Sequence, residues 1–418
     1  MKAMLRQARI VAPGTENHGQ IKDILVDNGI IIDISDHSTA DFDKEIISDS
    51  LHVSCGWMDL FAHIPDPGHE FRETIQSGAE SAAAGGFTDV FISPNTQPAV
   101  STKAQVDYII QQSVPLPVNL YPIGAVSKQT QGKELAEMYD MYVSGARCFS
   151  DGFNAVQHPN LLIKALQYVK QHQGLIIQIP DDHSLSAHGL IHEGLVSTQM
   201  GLPGKPAIAE ELMIARDIAL LRYTESRLHI TGVSTRNGLE LIVQAKKEGL
   251  DITCSVTPYH LMFTENDLSE YDTNLKVNPP LRSESDRLAL IAGIKNGWID
   301  AITSHHLPLH QDEKDCPFEE AKYGMNTLES MFGMLTQALG YDDVWINCLT
   351  HAPRKIAGLQ TPTIAVGSSA CLTLFDPSIS VTYEKPQVRS KSYNSPFVNK
   401  SLPGKVIGII NKKRLFER

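Results

Sequence analysis

Histidines whose spacing could serve metal binding or proton transfer occur in two segments of the chain. His183, His188 and His192 are separated by five and four residues, a spacing that could place two of them on one face of a helix. His305 and His306 are neighbours in a second segment. Exposed histidines also occur at such spacings, so a metal site and an ordinary polar surface both remain open for the first segment.

The cysteines argue against two kinds of site. They lie far apart, at Cys55, Cys148, Cys254, Cys316, Cys348 and Cys371. None belongs to a C-x-x-C pair, which argues against a zinc ribbon and against a thioredoxin-like site. Scattered cysteines in a long chain indicate buried thiols in a reducing compartment. Residues 1–7 lack the apolar core of a signal peptide, and no stretch reaches the ~18 apolar residues of a membrane span. We therefore expect a cytoplasmic protein.

Size and charge narrow the class of protein. The chain of 418 residues is long enough for one large domain and a smaller one. Hydrophobic residues make up 42% and charged residues 20%, which is typical of a globular protein with a sizeable core. The net charge of −12 argues against binding to a nucleic-acid backbone, which requires a basic surface.

Both ends of the chain have the pattern of β-structure. Near the start, apolar runs at 24–26 and 30–34 flank Asn28-Gly29, a dipeptide typical of a tight hairpin turn. Near the end, strand candidates lie at 371–375 and 406–410.

The middle of the chain, from 56 to 359, alternates between short apolar segments and helical patterns. Predicted strands lie at 89–92, 174–178, 228–230, 252–256 and 301–303, and predicted helices at 73–84, 161–171, 209–223, 238–247 and 285–296. This alternation predicts a parallel sheet, and ~300 residues suit the eight units of a (β/α)8 barrel. An open, doubly wound sheet is the alternative.

Seven short motifs follow one another along the chain. They are GWMDLFAHIPDPG at 56–68, SPNTQP at 93–98, FSDG at 149–152, HITGVST at 229–235, KVNPPLR at 276–282, SHHLPL at 304–309 and GSSACL at 367–372. In this order they resemble the signature segments of the dihydroorotase family of amidohydrolases. The resemblance covers nearly the whole chain, and seven collinear motifs make chance negligible.

The resemblance implies both an architecture and a chemistry. The architecture is an α/β fold with a (β/α)8 TIM-like barrel at 54–364 and a small β-sandwich domain formed by both termini, 1–53 and 365–418. Members of the family interconvert dihydroorotate and carbamoyl aspartate by opening or closing a cyclic amide. One or two divalent metals, usually zinc, activate a water, and an aspartate on the last strand moves its proton. An arginine clamps the substrate carboxylate.

Most of the positions that the family uses for this chemistry carry other residues here. Phe61 replaces the family's first metal-binding histidine, and Pro65 replaces its arginine. Gln178 and Gly232 stand where the family has histidines after strands 5 and 6. His305 replaces the aspartate of the last strand, and Leu309 replaces the final histidine of D-H-A-P-H. Phenylalanine, glycine and leucine offer zinc no ligand, and proline has no side-chain donor for a carboxylate. The resemblance therefore predicts the fold without its ordinary catalysis and without a binuclear centre.

Other site positions keep the family's residues. His63 and Asp151 retain metal-binding positions, and Asn95 and Asn278 retain positions that the resemblance assigns to the substrate. With His305, which also maps to the barrel mouth, His63 and Asp151 could hold a single metal ion. The other interpretation is a set of ordinary polar residues in a solvated cavity. We expect no cofactor, or at most one zinc ion.

Three functions are compatible with this pattern. The leading hypothesis is a non-catalytic dihydroorotase homologue of pyrimidine biosynthesis that acts as a structural or regulatory subunit. Inactive relatives in the family support aspartate carbamoyltransferase, so that enzyme is the first candidate partner, beside self-association into a homo-oligomer. The alternative is an active cyclic-amide hydrolase with a rebuilt mononuclear metal site. The third is a binding protein that uses the old pocket to sense a metabolite. No nucleic-acid or membrane partner is expected.

Overall fold

The computed structural model describes residues 2–418. Its strands are β1 (Lys2–Val11), β2 (Ile21–Asp27), β3 (Ile30–Ser35), β4 (Lys44–Ile46), β5 (His52–Cys55), β6 (Trp57–Ala62), β7 (Phe87–Ile92), β8 (Asn119–Pro122), β9 (Cys148–Phe149), β10 (Leu175–Gln178), β11 (Ile191–His192), β12 (Gly204–Lys205), β13 (Leu228–Ile230), β14 (Ile252–Val256), β15 (Ala301–Ile302), β16 (Leu372–Thr382), β17 (Ser401–Asn411) and β18 (Arg414–Glu417).

The α-helices are α1 (Ile75–Ala84), α2 (Lys103–Ser113), α3 (Met138–Val143), α4 (Pro159–Lys170), α5 (His183–Ser186), α6 (Leu195–Met200), α7 (Ile208–Thr224), α8 (Arg236–Lys247), α9 (Pro258–Met262), α10 (Glu284–Lys295), α11 (Met331–Leu339), α12 (Asp343–Asn347) and α13 (His351–Ile356). Within residues 2–418, none of these helices has the length and apolar character needed to cross a membrane.

Both ends of the chain contribute to one eight-stranded sheet. Its order is β18-β17-β16-β5-β1-β2-β3, and β4 pairs with β1. Strand β5 joins the two ends because it pairs parallel with β1 and antiparallel with β16. Leu5, Val53 and Leu372, on these three strands, belong to a buried cluster separate from that of the barrel. The prediction of a β-rich unit built from both termini is confirmed.

The hairpin predicted at Asn28-Gly29 joins β2 and β3. Both residues have positive φ angles, 47° and 78°, as a type I′ turn requires. Gly29 also lies against Lys413, whose Cα would be only 2.7 Å from a Cβ added at position 29. The turn therefore excludes a side chain at this position.

Eight parallel strands form the barrel: β6, β7, β8, β9, β10, β13, β14 and β15. Six neighbouring pairs are hydrogen-bonded ladders, and a parallel bridge between Gly124 and Phe149 connects β8 to β9. The ring closes through backbone bonds from His305 N to the Phe61 carbonyl at 3.1 Å and from His63 N to the His306 carbonyl at 2.8 Å. The sheet is therefore closed, which favours the predicted barrel over the doubly wound alternative.

Helices on the outside of the barrel bury their apolar faces against it. Neighbouring pairs are in contact, namely α4 with α7, α7 with α8, and α8 with α10. Leu166 on α4, Ile214 on α7 and Ile242 on α8 belong to the largest buried cluster, together with strand residues. The five helices predicted from the sequence agree with the observed bounds to within two residues. Packing of these amphipathic faces supplies most of their stability.

Candidate active site

A cavity of about 640 Å³ opens where the barrel strands end. His63, Asn95 and His305 line it and follow β6, β7 and β15, so they lie at the face where barrel proteins assemble their sites. Asn278 and Leu309 also line it. The remaining positions singled out from the sequence are not part of its lining: Phe61, Pro65, Asp151, Gln178 and Gly232.

His63 keeps the family's residue and is buried beside β7. Its Nδ1 lies 2.8 Å from the hydroxyl oxygen of Ser93. Burial lowers the pKa of His63 to about 3, so its ring is neutral at pH 7. With Nδ1 engaged by a hydroxyl, Nε2 is the nitrogen left for a ligand.

Asp151 is held by Ser127. Its Oδ1 accepts a bond from the Ser127 backbone N–H at 2.8 Å, and its Oδ2 accepts a short bond from the Ser127 hydroxyl. Burial raises the pKa of Asp151 to about 6, although the bonds from Ser127 oppose the rise. Both carboxylate oxygens are thus occupied in fixing the loop after β8.

His305 stands where the family has its proton-shuttling aspartate. Its φ of 44° is in the left-handed region, which is unfavourable for a residue with a side chain. The ring is buried, with its centroid 4.9 Å from that of Phe61. Phe61 in turn makes an edge contact with Phe153 at 5.4 Å. An aromatic cluster therefore occupies the position of the family's first metal-binding histidine.

The His305 ring fills the space that a side chain at position 232 would need. Gly232 has a φ of 74°, and a Cβ added to it would lie 2.6 Å from Cε1 of His305. Real Cβ atoms do not approach this closely, so no side chain at 232 is compatible with the His305 ring in its present place. The imidazole occupies room beside the strand position where the family has a histidine.

A chain of hydrogen bonds runs from His305 into the barrel. Nε2 of His305 lies 2.8 Å from the Thr231 hydroxyl, to which the Ser255 hydroxyl donates at 3.0 Å. The Ser255 hydroxyl is 3.0 Å from Nε2 of His229, and Nδ1 of His229 is 2.9 Å from the Thr253 hydroxyl. Sequence reasoning missed this network. The sequence pattern that could have revealed it is the alternation of polar residues on two neighbouring strands, which places residues 229, 231, 253 and 255 on one face.

The two remaining amides near β9 and β10 are bonded to backbone groups. Asn95 donates to the Asp151 carbonyl at 3.0 Å and accepts from the Phe153 N–H at 3.0 Å. Gln178 makes long contacts with both backbone groups of Val156, at 3.4 and 3.3 Å. Asn95 therefore lines the cavity and also fixes the backbone of residues 151–153.

Asn278 lies beside a buried ion pair. Its side-chain oxygen accepts from the Lys205 ammonium at 2.6 Å, and Lys205 pairs with Asp181 at 2.7 Å. Leu309 is buried, and its backbone N–H donates to Asn394 at 3.1 Å. Pro65 accepts a backbone bond from His69 at 2.8 Å. Leu309, which lines the cavity, and Pro65, which does not, are thus apolar residues at the positions where the resemblance expects a histidine and an arginine.

The residues present do not fit the two-metal centre that the resemblance implies. Phe61 and Gly232 have no donor atom, Gln178 is turned to Val156, and Asp151 lies outside the cavity lining. Zinc requires several nitrogen, oxygen or sulfur donors that converge on one point. Across residues 2–418, no three His, Cys, Asp or Glu side chains are grouped to hold a metal ion. The structure thus does not bring His63, Asp151 and His305 together as a ligand set.

The histidines at 183, 188 and 192 are spread over different elements. His183 begins α5, and His192 lies in β11. Nδ1 of His192 is 3.1 Å from the guanidinium of Arg282. Burial, with Arg282 nearby, lowers the pKa of His192 to about 4. This segment has no ligand cluster.

Charged residues that the sequence did not single out as a group line the rim. Arg72 and Lys322 share one carboxylate, Glu313, through a short bond from Arg72 and a 3.0 Å contact with Lys322. Lys276 also lines the cavity and donates to the backbone carbonyls of Phe318 and Glu319, at 2.7 and 3.0 Å. These cations come from distant parts of the chain, so only the folded barrel mouth brings them together.

Similarity to known proteins identifies the family of this chain. A family model described as Dihydro-orotase-like matches residues 52–238. A dihydroorotase from Geobacter metallireducens is 37% identical, with 100% of each chain covered. A dihydroorotase from Pelotomaculum thermopropionicum is 38% identical over 97% of this chain and 96% of its own length. This chain belongs to the dihydroorotase family. The family predicted from the motifs is confirmed.

Solved structures support the architecture. An L-hydantoinase (dihydropyrimidinase) from Arthrobacter aurescens has a TM-score of 0.85 at 24% identity, covering 99% of this chain and 95% of its own. A dihydropyrimidinase from Brevibacillus agri has a TM-score of 0.80 at 20% identity, covering 100% and 95%. At such identities the likeness concerns the fold alone. The fold class predicted for this chain, a barrel with a β-rich unit from both termini, is confirmed.

Proposed function

We propose that this chain is a dihydroorotase-family protein of pyrimidine biosynthesis that lacks the family's normal catalysis and acts as a structural or regulatory partner. The observation that carries the proposal is His305. The family requires a carboxylate there to accept the proton of the attacking water. Here the position holds an imidazole whose Nε2 is engaged with Thr231 at 2.8 Å and whose ring takes the space beside Gly232.

Several losses act on the same reaction. Without the histidines replaced by Gln178 and Gly232, Asp151 is the only side chain left for one of the two metals, and without an arginine at 65 the substrate carboxylate has no clamp. Catalytic groups that act as a unit give little when they are restored singly. We therefore expect Pro65→Arg alone and His305→Asp alone to leave dihydroorotate hydrolysis at background.

The experiment combines elemental analysis with a hydrolysis assay. Purified protein is analysed for zinc, and dihydroorotate turnover is measured for the unmodified chain, for both single variants and for the combined restoration of Phe61→His, Pro65→Arg, Gln178→His, Gly232→His and His305→Asp. Background rates for the first three support the proposal. Turnover in the unmodified chain, or full recovery by one substitution, would contradict it.

Aspartate carbamoyltransferase is the proposed partner, and self-association is proposed beside it. The support is the family membership together with a site that no longer fits the family's metals. Co-expression with the aspartate carbamoyltransferase of the same organism, followed by size-exclusion chromatography with light scattering, tests both points. Co-elution in a defined ratio is the expected result. Separate elution at concentrations near 50 times a typical micromolar Kd, on the order of 50 μM, would argue against this partner.

The second candidate function is an active cyclic-amide hydrolase with a rebuilt mononuclear site. The observation in its favour is that His63 and His305 line one cavity, and Nε2 of His63 is not used by Ser93. A chelator-sensitive hydrolysis of a cyclic amide or imide that disappears in His63→Phe would favour this function over the first.

A further inference from the structure

A groove of about 470 Å³ lies on the outside of the barrel, between α8 and α10. Its lining residues all belong to these two helices or to the turn that follows α10. Val243, Ala289 and Ala292 give it apolar walls. Leu288 and Trp298 also line it, and they are 51% and 42% exposed. The outer face of a barrel helix is ordinarily polar, so large exposed apolar side chains beside an apolar groove indicate a surface for another molecule.

We propose that the α8 helix of a second copy of this chain occupies the groove. The two α8 helices would lie antiparallel across a two-fold axis near Val243 and Gln244. The inference rests on the proposed function, because it names the surface for the self-association that is part of that proposal. It does not involve the cavity at the barrel mouth.

The spacing of side chains on α8 fits a two-fold contact. Arg236, Glu240, Val243, Gln244 and Lys247 all line the groove, and their separations keep them on one face of a helix. Glu240 and Lys247 are seven residues apart, about 10 Å along the helix axis. The midpoint between them falls at Val243 and Gln244. A two-fold axis through this midpoint places Glu240 of each copy opposite Lys247 of the other.

Glu240 and Lys247 are both exposed, and the chain supplies no opposite charge to either. Within residues 2–418, neither has an ion-pair partner at 4.0 Å or closer. The next residue, Lys246, differs because it pairs with Asp300 at 2.5 Å. The charges that a two-fold axis would bring together are therefore ones that remain unpaired in a single copy.

The local charge favours a second copy although each chain carries a net charge of −12. Two cations, Arg236 and Lys247, line the groove beside one carboxylate, Glu240. Repulsion between acidic molecules is smallest where their surfaces are not acidic. A face with both signs is also complementary to itself when it is turned by a two-fold axis, and each ion pair then forms twice.

Sedimentation velocity on the full chain, from about 1 to 100 μM, tests this inference because micromolar association is resolved in that range. The variants are Trp298→Glu, Glu240→Lys, Lys247→Glu and the double reversal of both charges. Matched controls are Tyr223→Glu, at an exposed aromatic residue of α7, and Lys164→Glu, at an exposed lysine of α4. Thermal melting establishes that each variant is folded.

We expect the unmodified chain to associate in this range. Trp298→Glu should raise the dissociation constant at least about thirtyfold, as the loss of a large interface tryptophan predicts. Each single charge reversal should raise it about tenfold or more, because like charges then face each other. The double reversal should restore association, since opposite charges meet again. The controls should behave as the unmodified protein does. If Trp298→Glu does not fold, the charge reversals at exposed positions decide.

A cysteine at the two-fold axis gives a second measurement. Gln244→Cys should form a disulfide-linked dimer under mild oxidation, because residues beside the axis meet their own counterparts. Gln112→Cys, at an exposed position on α2, is the matched control and should remain uncrosslinked. Equal crosslinking of both variants would contradict the antiparallel arrangement of the two α8 helices.

A monomer at 100 μM would overturn the inference. So would association that persists unchanged in folded Trp298→Glu, or a double reversal that associates no better than the single ones. If the chain is monomeric and Trp298→Glu abolishes co-elution with aspartate carbamoyltransferase, the groove binds that enzyme and not a second copy. Dihydroorotate turnover would instead defeat the non-catalytic function, and it is measured separately from association.

Discussion

The two ends of the barrel differ in how completely their buried polar groups are paired. At the amino-terminal ends of the strands, Arg354 donates to the carbonyls of Gly56 and Thr350, at 2.6 and 2.9 Å, and pairs with Asp89. Asp89 also accepts from Asn119 at 2.9 Å. At the carboxyl-terminal ends, Nδ1 of His305 and Nε of Arg72 have no hydrogen-bond partner. The first end is built for stability, and the second retains the incomplete pairing that is typical of a site.

The largest loss of stability is expected at the amino-terminal ends of the barrel strands. Arg354→Met removes one partner of a buried ion pair and leaves Asp89 with an uncompensated charge, so we expect a loss of roughly 3–5 kcal/mol in the free energy of unfolding. Urea denaturation measures it. The control is Arg222→Met, which breaks an exposed pair with Glu248 and should cost less than about 1 kcal/mol. Similar losses in both variants would show that the buried pair of Arg354 and Asp89 contributes no more to stability than an exposed pair.

A smaller effect is expected where the polar chain meets the cavity. Thr231→Val keeps the shape but leaves the Ser255 hydroxyl without its acceptor and His305 without its Thr231 partner. We expect a loss of about 1–3 kcal/mol by the same denaturation assay. Thr198→Val, at an exposed position on α6, is the matched control. A loss no larger than the control's would mean that the network does not hold His305 in place.

The stability of the protein at acid pH should depend on His229, the buried histidine in the hydrogen-bond chain from His305. Burial lowers the pKa of His229 to about 3, below its unfolded value of 6.5. A depressed pKa means that stability is present above pH 6.5 and is lost as the pH falls toward 3, because only the unfolded chain takes up the proton. Between pH 6.5 and 5 this histidine should account for roughly 1.5–2 kcal/mol. His229→Gln should show a shallower pH slope of stability than the unmodified protein, and an identical slope would refute the assignment.

The smallest loss of stability is expected from the steric contact between a side chain at position 232 and the His305 ring. Gly232→Ala should destabilise the protein through both the positive φ and the contact with the His305 ring. In a His305→Ala background only the backbone strain, on the order of 1 kcal/mol, should remain. A double-mutant cycle measures the coupling, which we expect to be about 1 kcal/mol or more. Additive losses would show that the ring does not occupy the space beside Gly232.

Much of the fold was predictable because it is encoded in local patterns. Alternation of strands and helices between 56 and 359 predicted a parallel sheet, and the motifs, through their resemblance to the family, implied its closure into a barrel. Asn28-Gly29 predicted its hairpin from the φ angles that these residues tolerate. The changed residue types at Phe61 and Gly232 could be identified in the motifs, since each occupies a fixed place in a short segment. Local sequence is sufficient for features of this kind.

The arrangement of the site was less predictable because it depends on tertiary contacts. Arg72 and Glu313 are 241 residues apart in the chain, and nothing in either segment indicates that they pair. The motifs assigned Asn278 to a substrate, whereas its amide oxygen accepts from Lys205. The hydrogen-bond chain from His305 passes through Thr231 and Ser255, which lie at two other strands. Such features emerge only when the barrel closes.

The central claim is that the dihydroorotase-family fold is kept here without its catalysis. The most direct test is steady-state hydrolysis of dihydroorotate by the unmodified protein, with added zinc and with a chelator as control. We predict turnover at the background rate under both conditions. A chelator-sensitive kcat near ~1 s⁻¹ or above, inside the ordinary range for enzymes, would contradict the account.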